Sequence, residues 1–181
     1  MKKTLLCTGL IAAAFAAQAQ TDKKNNFKLN IFSPIVKTGS FFYERKLNDK
    51  SSAQLGVGFT SFGKSDGVKL SGIFITPEYR FYPSENALSG FYVGPFLRFQ
   101  SLKLEDKTAG SSGKATLTTF GGGAVIGRQW VFGDIVSFDI FAGPSFNTGK
   151  VKVQSGDDEF DVPGSFEGFG ARVGITVGVN F

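Results

Sequence analysis

Seven charged residues sit at positions whose neighbours alternate between apolar and polar: Glu44, Lys46, Glu78, Arg80, Arg98, Asp139 and Arg172. Carboxylates interleaved with cations can neutralise one another as a buried network, steer small ions through a passage, or act as acid and base on a substrate. The third use has little behind it. No histidine occurs anywhere, so Ser-His and Thr-His nucleophilic arrangements cannot be assembled. A carboxylate-only mechanism through Glu44, Glu78 or Asp139 lacks further support, because carboxylates among arginines are more often counter-ions. The single cysteine is Cys7, inside an N-terminal apolar run, which leaves no thiol nucleophile or thiolate ligand beyond it. Asp157, Asp158, Glu159 and Asp161 form an acidic knot without the spacing of a calcium loop, and a solvated loop face explains them. Gly121, Gly123 and Gly127 are followed by Arg128-Gln129-Trp130-Val131-Phe132 and a turn, where a dinucleotide site needs a helix. No enzyme, cofactor or metal is expected.

The elements that must position these charges are strands. From Phe169 the odd positions are Phe169, Ala171, Val173, Ile175, Val177, Val179 and Phe181, all apolar. The even positions between them are small or polar, a period of two that only a two-faced strand can use. Strands in globular proteins are commonly about 5–6 residues long, whereas about 9–11 tilted residues cross a bilayer. Seven earlier segments alternate likewise, at 27–36, 40–47, 53–62, 68–82, 90–104, 115–130 and 135–146. The phase of 115–130 is open, because a bulge at Gly121-Gly122-Gly123 would swap its faces. Connections alternate in length, with short turns after the second, fourth and sixth segments and long loops near 105–114 and 147–165. Tyr43, Tyr79, Tyr82, Tyr92 and Trp130 lie by the short turns and suit a membrane interface.

One phase is bulky and nearly free of charge, while the other is half glycine with isolated charges, in a chain of 24 Gly and 21 Phe. A soluble lipocalin-like barrel would turn its apolar phase inward and its polar phase outward. A glycine-rich polar face fits the inside of a narrow closed barrel better. Counted from the short turns, Glu44, Glu78, Arg80 and Asp139 lie low inside it, and Arg98 and Arg172 lie higher.

Residues 1–19 read as a secretory signal peptide, with Lys2 and Lys3, an apolar run and Ala17-Gln18-Ala19 at the cleavage site. Residues 20–26 form a short polar arm and 27–181 the barrel domain. Net charge falls from +5 to +3 once Lys2 and Lys3 are removed, too little to argue for nucleic acid.

The closing alternation Val173, Ile175, Val177, Val179, Phe181 resembles the C-terminal strand of bacterial outer-membrane barrels, which the barrel-assembly machinery reads. With the signal ending at Ala19, the chain resembles the small eight-stranded barrels of the OmpA transmembrane domain and OmpX type. The resemblance implies an all-β, eight-stranded antiparallel up-and-down transmembrane barrel in the outer membrane of a Gram-negative envelope. It implies lipid and lipopolysaccharide as neighbours; loop lysines such as Lys64, Lys107 and Lys150 suit lipopolysaccharide phosphates, and ordinary loop solubility explains them equally well. Unlike full-length OmpA, the sequence stops at the closing strand, so no peptidoglycan-binding domain is expected. The fold does not fix one activity. A structural or surface-interaction role through the long loops, with the lumen filled by the ion network, is the first expectation. A narrow channel or conduit for small or hydrophobic solutes is the alternative.

Overall fold

The structure, a computed structural model, describes residues 23–32, 38–63, 68–84, 86–106, 113–155 and 168–181. Eight strands follow one another: β1 (Asn25–Asn30), β2 (Thr38–Asn48), β3 (Ser51–Gly63), β4 (Val68–Phe81), β5 (Gly90–Asp106), β6 (Gly113–Phe132), β7 (Val136–Ser155) and β8 (Gly168–Asn180). Each pairs antiparallel with its sequence neighbours, and β1 with β8 closes the cylinder. The all-β, eight-stranded up-and-down barrel expected from the alternation is the architecture observed. Closure extends to the chain ends: Asn25 N donates to Phe181 O at 3.0 Å and Phe181 N to Asn25 O at 2.9 Å. The wall therefore begins at Asn25, two residues inside the expected arm. The signal segment 1–19 and the acidic residues 157–161 lie outside the described residues.

The open phase of β6 resolves, and one expectation about the long loops changes. The glycine run of β6 keeps one register, since Gly123↔Ser145 and Ile126↔Ala142 belong to the same ladder. No bulge forms there, and odd positions face inward from Ala115 to Gln129. The expected loop 147–165 is strand as far as Ser155, paired with β6. Likewise Glu105 and Asp106 finish β5, and Gly113 and Lys114 start β6. Polar composition suggested loop, but Lys150-Val151-Lys152-Val153 keeps the period of two that a strand needs.

The long strands explain why polarity misled. At about 3.3 Å per residue, the 20 residues of β6 run roughly 66 Å, far more than a ~25 Å apolar band requires even when tilted. The character of the wall inverts along that length without any change of phase. On the short-turn side, Ile73, Ile75, Leu97, Phe99, Phe120 and Ile126 face outward and are exposed. Beyond a ring that includes Phe59, Phe99, Phe120, Phe146 and Phe169, the outward positions become Ser61, Ser71, Lys103, Thr118 and Thr148. At the same level the inward side becomes apolar: Leu70, Leu102 and Leu117 form a buried cluster.

Three prolines, Pro77, Pro95 and Pro144, sit at exposed outward positions of this wall. Each lacks a donor, so the ladder must lapse nearby. Pairing of β4 with β5 is interrupted between Ile75↔Phe99, Glu78↔Phe96 and Phe81↔Val93. The three-residue connection from β6 to β7 places Gly133 and Asp134 at φ +57° and +59°, the two positive φ values of a type I′ turn, which Ile135 N closes by donating to Phe132 O at 3.2 Å.

Candidate functional site in the barrel lumen

Alternation sends Lys28 (β1), Glu44 (β2), Glu78 and Arg80 (β4), Asp139 (β7) and Arg172 (β8) inward, and all are buried. Glycine makes room for the bulky groups beside them. A Cβ at Gly127 would lie 2.5 Å from Tyr92 Cζ, and one at Gly56 would lie 2.7 Å from Phe42 Cε1. Inward aromatic rings thus occupy the space that side chains at those positions would need.

Three carboxylates and three cations interlock. Lys28 Nζ donates to Glu44 Oε2 at 2.5 Å, Gln129 Oε1 at 2.9 Å and Asp139 Oδ2 at 3.3 Å. Arg80 Nε donates to Glu78 Oε1 at 2.6 Å, and its Nη1 to Asp139 Oδ2 at 2.9 Å and Glu44 Oε2 at 3.4 Å. Arg172 Nη1 donates to Glu78 Oε2, joining β8 to β4 across the cylinder. Hydroxyls complete the carboxylate shells: Tyr82 to Glu44 at 2.8 Å, Ser52 to Glu44 at 2.5 Å and Tyr92 to Asp139 at 2.9 Å. Arg80 also lies 4.0 Å over the Tyr92 ring. Charges out of water persist only when paired and hydrogen-bonded in this way.

Beneath the knot, Tyr82, Ala87 and Leu88 are buried in and beside the β4–β5 turn, and Gln129 Nε2 donates to Leu88 O at 2.7 Å. Above it, Phe42, Phe96 and Phe141 fill the next layer, with Arg172 4.5 Å over the Phe96 ring and 4.8 Å over Phe141. Arg98 stands apart. Its Nε donates to Thr76 Oγ1 at 3.3 Å, and it faces the Phe74 ring at 5.2 Å. Among the described residues no carboxylate lies within ion-pair distance of it.

Of the charged residues singled out by sequence, Glu44, Glu78, Arg80, Asp139 and Arg172 meet in one cluster. Lys46 does not join them. It pairs with Asp49 Oδ1 at 2.8 Å beside the β2–β3 turn. There the Lys46 ammonium, by hydrogen bond and charge, holds the exposed Asp49 carboxyl below the usual carboxylate range. Lys28 and Gln129 were missed as network members, although the inward phase between Phe27 and Leu29 marks Lys28.

Tyr82 and Tyr92 were expected at a membrane interface. Both rings are fully buried inside the lumen. Nearness to a short turn suggested the interface, but side-chain phase decides, and both lie at even positions in line with the inward phase of β4 and β5. Tyr43 and Tyr79 do face outward, and Tyr43 OH donates to Asn25 Oδ1 at 2.7 Å. Trp130 is half-buried on the outer face against Phe138, centroids 5.8 Å apart. In the closing strand Val173, Val177 and Val179 are exposed outward, Ile175 is half-exposed on the same face, and Phe181 ends the ladder with β1.

The alternation, closure and charged interior belong to a chain that a family model matches over residues 4–157. The chain belongs to the family described as Protein of unknown function (DUF3575). Among solved structures it is similar to the crystal structure of the N-terminal β-barrel domain of Pseudomonas aeruginosa OprF. Identity there is 14% and the TM-score 0.48, over 90% of this chain and 100% of that one. No curated protein matches. Among the described residues of this DUF3575 member, no group of three or more His, Cys, Asp or Glu is arranged to hold a metal ion.

Proposed function

We infer that the chain is an integral outer-membrane barrel with a structural or surface-interaction role, its lumen closed by the ion network and its working surface at the long-loop end. The inversion of the wall carries this reading. Apolar-out with charges within suits hydrocarbon, and polar-out with leucines within suits water. One chain has both arrangements, stacked along the same strands, with aromatics at the change of solvent. The band between the Phe ring and the short turns is where lipid would lie. The extended ends of β5, β6 and β7 would then stand clear of the bilayer and offer a partner a rigid sheet as well as loops.

Closure of the lumen is supported by pairs that span it, Arg172 with Glu78 and Arg80 with Asp139, and by the Tyr82–Leu88 cap below. The narrow-channel alternative has one observation in its favour: Arg98, with no carboxylate within ion-pair distance among the described residues, lies above the knot where a passing anion would meet it. Planar-bilayer recording of the refolded barrel separates the two. A silent membrane is the expected result. Steady openings that select anions and vanish in Arg98→Ala would replace the plug with a channel.

A further inference from the structure

We propose that the outer wall across β2–β5 holds one glycerophospholipid with an anionic headgroup, its acyl chain laid over Ala53, Pro77 and Pro95 and its phosphate on Arg45. This rests on the membrane reading above and adds a defined site to it.

A groove of about 630 Å³ lies on this face, within the range of roughly 300–1,000 Å³ usual for small-molecule sites. Its shape follows from register. Arg45 stands opposite Ala53 and Ala53 opposite Tyr79; one row along, Tyr43 stands opposite Leu55 and Leu55 opposite Pro77. Ala53 and Pro77 are diagonal neighbours across these rows, so the small or flat residues form an oblique strip with Leu55 on one side and Tyr79 on the other, and Arg45 beside Ala53. The prolines make the depression part of the wall, because they fall where β4–β5 pairing lapses.

Arg45 supplies the polar end. It is exposed on the outer face near the β2–β3 turn, and among the described residues no carboxylate lies within ion-pair distance. Arg128, also facing outward, differs: its guanidinium lies over Phe91 at 4.7 Å and Trp130 at 5.1 Å. A guanidinium bordering hydrocarbon needs a counter-ion, and its planar fork matches a phosphate in two-point contact. At this height the neighbours are lipids rather than water-borne solutes. A headgroup with net negative charge leaves an anion for Arg45, whereas a choline headgroup brings its own cation.

The test is native mass spectrometry of the refolded barrel in detergent, offered phosphatidylglycerol or phosphatidylcholine. Preferential retention of a single phosphatidylglycerol is expected. Arg45→Ser should weaken it about fivefold, the share of one basic side chain at an anionic surface. Ala53→Phe, which fills the groove from outside, should abolish it, and Arg128→Ser should leave it unchanged. Folding of every variant is checked by heat-modifiable gel migration. Equal retention of both lipids, or retention that survives both Arg45→Ser and Ala53→Phe, would overturn the site. If the wild-type barrel inserts into liposomes yet shows no lipid preference, the groove alone fails; if it does not insert, the membrane reading fails first.

Discussion

The two halves of the barrel solve opposite problems with the same strands. Toward the short turns, the outer face is apolar and the inner face holds a neutral set of three carboxylates and three cations. Toward the long loops, the outer face carries Ser, Thr and Lys while Leu70, Leu102 and Leu117 cluster inside. The first half is inside-out by the standards of a soluble protein and the second is ordinary. A β-wall has no preferred inside in itself, so the solvent at each level decides which face is greasy.

The largest effect is expected in the knot. Arg80→Met should cost about 3–5 kcal/mol, because it takes one cation from a buried set of three carboxylates, leaving Glu78 Oε1 without its donor and Asp139 with only Lys28 and Tyr92. A urea titration followed by heat-modifiable migration would read this as a lowered unfolding midpoint. In the upper half the equivalent blow is Leu117→Ala, at about 2–5 kcal/mol of local stability from the cavity it leaves. That loss should appear as faster proteolysis of the extended β5–β7 ends while the gel shift of the lower barrel persists. If both variants unfold the whole molecule alike, the halves are not separable.

A smaller effect is expected on the outer face. Ile126→Lys places a cation mid-band and should cost about 2–4 kcal/mol in a bilayer, whereas Thr118→Lys on the same strand should stay within about 0.5 kcal/mol. Paired folding titrations in liposomes would measure the difference. The smallest effect belongs to the rim pair. Asp49 has a depressed folded pKa, so its contribution is present above the unfolded pKa and lost as pH falls through the folded one. It is fully exposed, so Asp49→Asn should leave the unfolding midpoint at neutral pH unmoved.

Much of this was legible in the sequence, for reasons specific to its residues. Period-two alternation ending Val173, Ile175, Val177, Val179, Phe181 fixes strand faces, and the short turns fix neighbours, so barrel and inward charges follow. Tyr82 and Tyr92 were misplaced because closeness to a turn was weighed above phase, which already pointed them inward. Lys46 was misassigned for the complementary reason. Its phase is inward, but at the end of β2 the Asp49 carboxylate is nearer than the knot. The extension of β7 to Ser155 was hidden because polar composition imitates a loop where the outward face of the wall turns polar. Which carboxylate meets which cation depends on stagger across the cylinder, and a one-dimensional pattern does not contain it.

On the membrane reading, the solvent changes from hydrocarbon to water at the ring that includes Phe99, Phe120 and Phe146. Single cysteines at outward positions of β6 and β7, labelled with a membrane-impermeant maleimide after reconstitution into liposomes, test it directly. Thr118→Cys and Thr148→Cys should react readily, while Ala124→Cys and Ile126→Cys stay protected until detergent is added. Equal labelling at all four positions before detergent would contradict the account.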